Sequence, residues 1–167
     1  MNERSVPGFL PSTHGFHFSN AWPSGPTLRF GPFDPRRIGV GDASAGLCGG
    51  MCYTVADLFA AGIAIPLDVQ RPENGSARFQ ALVRRQVESL AWLTVPIRFW
   101  LRSALGGSLG GDRASDTLER EWPKSRARLD AGQLVPIGLI RAATADPRQL
   151  TKNHQVIAFG YAEDGRG

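Results

Sequence analysis

Two cysteines, Cys48 and Cys52, are the only thiols in the chain. Both lie in the run G-L-C-G-G-M-C-Y-T-V, residues 46–55, where glycine gives way to apolar residues. Downstream of Cys48, Met51, Val55, Leu58 and Phe59 recur at spacings of three and four, which predicts a helix that starts at Cys48 and closes at Gly62. A cysteine in the first turn of a helix sits among backbone N–H groups that lack intrahelical acceptors, at the positive end of the helix dipole. That setting favours thiolate over thiol, and the small neighbours Gly49 and Gly50 leave room for a substrate. Cys52, one turn further in, is expected to be structural.

A thiolate nucleophile needs a proton partner. His154 opens the run H-Q-V-I-A-F-G-Y, residues 154–161, where a strand would carry its ring on a rigid edge. A helix-borne cysteine facing a strand-borne histidine is the arrangement used for acyl transfer through sulfur. His14 and His17 read as polar positions on an arm. A disulfide between Cys48 and Cys52 is disfavoured, because side chains four apart on one helix lie along its axis with poor bridging geometry. A zinc set of Cys48, Cys52, His154 and either His14 or His17 is the competing use of these residues, weakened by a second ligand pair that is not contiguous. No metal or cofactor is expected.

The elements that must hold these residues follow from periodicity and punctuation. Residues 1–45 are rich in Gly, Pro, Ser and aromatics and form a loop-rich lead-in, with His14, Phe16 and Phe18 alternating as in a short strand or extended arm. A helical half, 46–132, contains the helix at Cys48 and a second amphipathic helix over Phe79, Leu82, Val83, Val87 and Leu90, with Arg84, Arg85 and Glu88 on its wet side. A third helix is expected over 96–105, followed by a glycine-rich tip at 106–111, and a fourth over 117–131, restarting near Trp122-Pro123 and closed by Gly132. The period then shortens: 134–143 and 154–161 read as strands, giving a sheet half over 133–167. Helices first and strands last is an α+β pattern within one domain, 1–167.

Composition narrows the classes. With 42% hydrophobic and 20% charged residues in 167, the chain can bury a core without disulfide staples. The net charge of +4 is spread along the chain rather than gathered into a basic patch with interleaved aromatics, so no nucleic acid is expected as a partner. No signal-like apolar segment opens the sequence and no run of about 18 apolar residues occurs. A membrane is therefore not expected as a partner either, and the expected location is cytoplasmic, where both thiols stay reduced. Trp22, Trp92, Trp100 and Trp122 read as core and groove walls.

G-L-C-G-G-M-C-Y-T-V followed far downstream by N-H-Q-V-I-A-F-G-Y resembles the papain-like cysteine peptidase superfamily, most closely its bacteriocin-leader-processing, or double-glycine peptidase, branch. The resemblance rests on residues 46–59 and 153–161. It implies a papain-like α+β fold, with Cys48 as nucleophile and His154 as its proton shuttle, acting on a peptide or another amide or thioester substrate. In this family a Gln six residues before the nucleophile helps bind the oxyanion; here that position is Asp42, whose carboxylate would repel developing negative charge, and Ser44 with the Cys48 backbone N–H is the substitute, with Gly49 and Asn153 as supporting positions. The resemblance also implies an Asp or Asn that orients the imidazole from the next strand. The sequence ends thirteen residues after His154, so the orienter is expected beyond Gly167 or recruited from Asp164 or Asp57. The competing function is a papain-like binding or carrier module without turnover.

Overall fold

Glycine and serine set the helix ends. In the computed structural model, which describes residues 2–24, 43–89, 115, 117–139 and 154–164, the elements run β1 (Asn2–Ser5), α1 (Pro11–His14), a 3-10 turn (Ala43–Ala45), α2 (Cys48–Ala60) and α3 (Ala77–Ser89). A π-turn (Thr117–Glu121), α4 (Trp122–Asp130), β2 (Val135–Leu139), β3 (His154–Ala158) and β4 (Gly160–Glu163) complete the order. The fold is thus mixed α+β. None of the helices among the described residues is long and apolar enough to cross a membrane.

Helix α2 begins at Cys48 and ends in a reversal at Gly62, φ +66°, whose N–H bonds the Phe59 carbonyl while Ile63 N–H bonds Leu58. That double bond satisfies carbonyls the helix cannot, and Gly132, φ +75°, ends α4 in the same way. Ser76 caps α3 by accepting the Phe79 N–H on its hydroxyl. The third expected helix, 96–105, and the tip at 106–111 lie outside the described residues.

Two antiparallel pairs make the sheet half. β2 pairs with β3, setting Leu139 opposite His154 and Val135 opposite Ala158; β4 pairs with β1, setting Gly160 opposite Ser5 and Glu163 opposite Asn2. Between β3 and β4 only Phe159 intervenes, and its carbonyl accepts the Val6 N–H at 2.7 Å, so one extended run is zipped to β2 along its first half and to β1 along its second. The lead-in departs from the expected pattern. His14 ends a helical turn instead of starting a strand, and the lead-in's strand is the polar segment N-E-R-S at 2–5, which the pairing with β4 stabilises.

Apolar residues collect on both sides of α2. Val55 joins Val6, Phe9, Ile65, Leu129, Leu134 and Val135 on the sheet side, with Ile137, Ile157 and Phe59 packed against them. On the other side Leu47 and Met51 meet Phe79, Leu82 and Val83 of α3 and Phe18 and Trp22 of the lead-in. Phe16 touches both clusters. Helix α2 is therefore the central strut of the described fold, and its first turn is fixed from two directions.

Candidate active site

Immediately before Cys48 the backbone turns. Gly46 adopts φ +87°, a conformation costly for any residue with a Cβ, and its N–H bonds the Ala43 carbonyl. Asn20, from the lead-in, accepts the Leu47 N–H on Oδ1 at 2.7 Å and lies so close to Gly46 that a Cβ there would stand 2.8 Å from Asn20 Nδ2. The lead-in thus pins the entry to the helix.

The first turn of α2 leaves N–H groups to satisfy, and no side chain caps it from Leu47. Gly50 N–H finds Gln86 Oε1 of α3 at 2.7 Å, and Met51 N–H makes the first intrahelical bond, to Leu47, at 2.9 Å. Cys48 and Gly49 N–H have no acceptor among the described residues. These two donors, of which Gly49 is buried beneath Gln155, share the positive end of a 13-residue helix with a half-buried thiol. The Cys48 N–H, beside the half-buried thiol, is of the kind suited to hold a developing oxyanion.

Strand β3 crosses this turn. The Gln155 side chain is driven against Gly49 so closely that a Cβ on the glycine would stand 1.7 Å from Gln155 Oε1. The Cys52 thiol donates to the Gln155 carbonyl at 3.5 Å. Gln155 Oε1 itself is fully buried and has no hydrogen-bond partner among the described residues, a cost of about 1–3 kcal/mol for an acceptor removed from water. Burial pushes the Cys52 thiol up to about 11, with the neighbouring Cys48 adding to the shift, so at neutral pH Cys52 is a protonated structural group.

Cys48 opens α2 and His154 opens β3, and each is the immediate neighbour of a residue in the contact between those elements. Within that contact the side chain reaching the helix is Gln155. Successive strand residues point to opposite faces, and His154 stands exposed on the face it shares with Leu139 and Val156. Ser44 sits in the 3-10 turn four residues before Cys48, with its side chain exposed. Asp42 and Asn153 lie outside the described residues.

Asp57 is not available to orient an imidazole. Its carboxylate takes a bidentate bond from Arg85 at 2.6 and 3.0 Å, and it lies nine residues along the helix from Cys48, about 14 Å at 1.5 Å per residue. The Arg85 guanidinium, held by Asp57, also lies over the Tyr53 ring at 4.9 Å, so this pair ties α2 to α3. Asp164 follows β4, and because β3 and β4 run on from one another without pairing, the chain carries it away from His154. His14 is removed from the thiols too. Its ring stacks on Phe9 at 5.4 Å and meets Phe59 edge-on at 5.2 Å, near the far end of α2, about 16 Å along the axis from Cys48. No cluster of three or more His, Cys, Asp or Glu side chains suited to a metal occurs among the described residues.

Three residues around the helix start have no signal in the sequence: Asn20, Gln86 and the side chain of Gln155. The glycines at 46, 49 and 50 indicate that something approaches closely, but not what. Comparisons with protein family models, with curated proteins and with solved structures find no match for this chain.

Proposed function

We propose that the chain is a papain-like thiol hydrolase or acyltransferase in which Cys48 attacks the carbonyl carbon of an amide or thioester. The observation that supports this reading is the docking of the start of β3 on the first turn of α2, Gln155 against Gly49, because Gln155 and Gly49 are the chain neighbours of His154 and Cys48. The Cys48 thiol gives its proton to His154, the sulfur forms a C–S bond to the carbonyl carbon, and the oxyanion is received by backbone N–H at the start of α2. As the intermediate collapses, the His154 imidazolium gives its proton to the departing amine or thiol. Water or an acceptor nucleophile, deprotonated by the same imidazole, then attacks the acyl carbon and releases Cys48. Ser44, Gly49 and Asn153 are the supporting positions in this reading.

A second reading is a papain-like module that binds a peptide or carries an acyl group without turnover. It is favoured by the exposed position of His154 on the strand face opposite Gln155. Alkylation separates the two. For the enzyme, iodoacetamide labels Cys48 faster than it labels glutathione near neutral pH, Cys52 stays unlabelled, and His154→Ala removes that excess rate. A Cys48 labelling rate no greater than that of glutathione and indifferent to His154→Ala would leave the binding module.

A further inference from the structure

We infer that Cys48 and Cys52 together form a two-thiol site for a soft monovalent metal ion of the Cu(I) class, a use of the pair that does not depend on Cys48 acting as a nucleophile. Residues four apart on a helix are neighbours, with Cβ atoms about 5–6 Å apart. Cys48 and Cys52 are such a pair on α2, both free and both half-buried, and the charge of one is felt by the other. That spacing decides between two ways of joining the sulfurs. A disulfide needs Cβ atoms about 3.5–4.5 Å apart, so the helix would have to open. An ion bonded to both sulfurs at about 2.3 Å lets them stand up to about 4.6 Å apart, which the intact turn supplies.

The donor set selects the ion. Thiolates favour soft ions such as Cu(I), whereas zinc takes four ligands. No third His, Cys, Asp or Glu side chain joins the two thiols among the described residues. His14 packs on Phe9 and Phe59 near the far end of α2, and His154 is exposed on the strand face opposite Gln155. Two features of the surroundings fit an ion. Binding replaces two S–H protons, which pass to solvent, by one cation, so the pair with its ion carries a single negative charge at the positive end of a 13-residue helix. Gln155 covers the same stretch of α2, its carbonyl against the Cys52 thiol at 3.5 Å and its Oε1 buried over Gly49 without a hydrogen-bond partner among the described residues. A cation between the sulfurs sets positive charge on the surface that these two oxygens face.

The test uses the full chain and Cu(I) itself, kept reduced by ascorbate under nitrogen, in competition with the chromophoric chelator bicinchoninate. The parent is expected to take up one Cu(I). Cys48→Ser and Cys52→Ser are each expected to weaken uptake by about a hundredfold or more, the loss that follows when one arm of a two-armed site is removed. Cys52→Ser combined with Ala56→Cys keeps two thiols but sets them about 12 Å apart along the axis, and is expected not to recover the affinity. Should Cys52→Ser lose its cooperative melt, Cys48→Ser carries the comparison. No uptake by the parent, a single-serine variant that matches it, or recovery with Ala56→Cys overturns the inference. His154→Ala is expected to leave Cu(I) affinity unchanged and to remove only the excess alkylation rate, so the metal site and the enzymatic reading fail on different measurements.

Discussion

Cys48 and Cys52 are one turn apart on the same helix and meet different surroundings. Cys48 is half-buried in the first turn of α2, whereas Cys52 is covered by β3, and the thiolate of Cys52 would have to form against the Gln155 carbonyl. Burial and the neighbouring sulfur hold the Cys52 proton up to about pH 11, above the ordinary thiol value of 9.0, so the folded state binds a proton that the unfolded chain releases first. Folding is therefore favoured by this group below pH 9, and the advantage is lost as pH rises toward 11. Thermal melts from pH 8 to 11 are expected to fall more steeply for the parent than for Cys52→Ser, by roughly 1–2 kcal/mol after allowance for solvent screening. Parallel slopes would show that Cys52 is not buried as described. At this scale much was legible beforehand: the glycine bracket around Cys48 and the one-turn offset of Cys52 already separated a candidate nucleophile from a structural thiol. Nothing comparable marked Asn20 or Gln86. Each is an ordinary polar residue whose role comes from the backbone N–H it reaches across 27 or 36 residues of chain.

Helix pairing depends on the glycines rather than on the ion pairs. An exposed glycine in a helix gains about 1 kcal/mol on replacement by alanine. At Gly50 that gain is outweighed, because the new Cβ would stand 2.2 Å from the Leu82 carbonyl and α2 and α3 would have to part. Gly50→Ala is expected to cost about 2–3 kcal/mol net in urea unfolding, with the Gly50–Gln86 bond broken. A neutral or stabilising outcome would mean the helices do not pack this closely. The Arg85–Asp57 pair is partly exposed and contributes at most about 1 kcal/mol, so it directs the helices more than it holds them. Element boundaries were the most legible level. Gly62, Gly132 and the Trp122-Pro123 restart act through local backbone chemistry, and the helices end where that chemistry puts them.

Across the whole molecule, the strand that carries His154 is steadied from the opposite end of the sequence. β1 zips to β4, Val6 follows it into the core at 2% exposure, and the Tyr161 hydroxyl donates to Asp130 of α4 at 2.7 Å. Gly160 is the point of closest approach, since a Cβ there would lie 2.6 Å from the Arg4 carbonyl. Gly160→Ala is expected to cost about 2 kcal/mol, lowering Tm by about 4–8 °C, and to speed amide exchange at Val6. Unchanged exchange at Val6 would separate β1 from β4.

The sequence by itself determined the start of α2 at Cys48, the caps, the second amphipathic helix and the late strands, because each is decided by residues within a few positions of one another. Tertiary structure alone decided that N-E-R-S is a strand, that Asp57 belongs to Arg85, that Asn20 holds the turn before Cys48, and that Gln155 is the side chain meeting the helix. Those outcomes depend on hydrogen bonds and contacts between segments far apart in the chain. Their partners become neighbours only when the two apolar clusters on either side of α2 have closed.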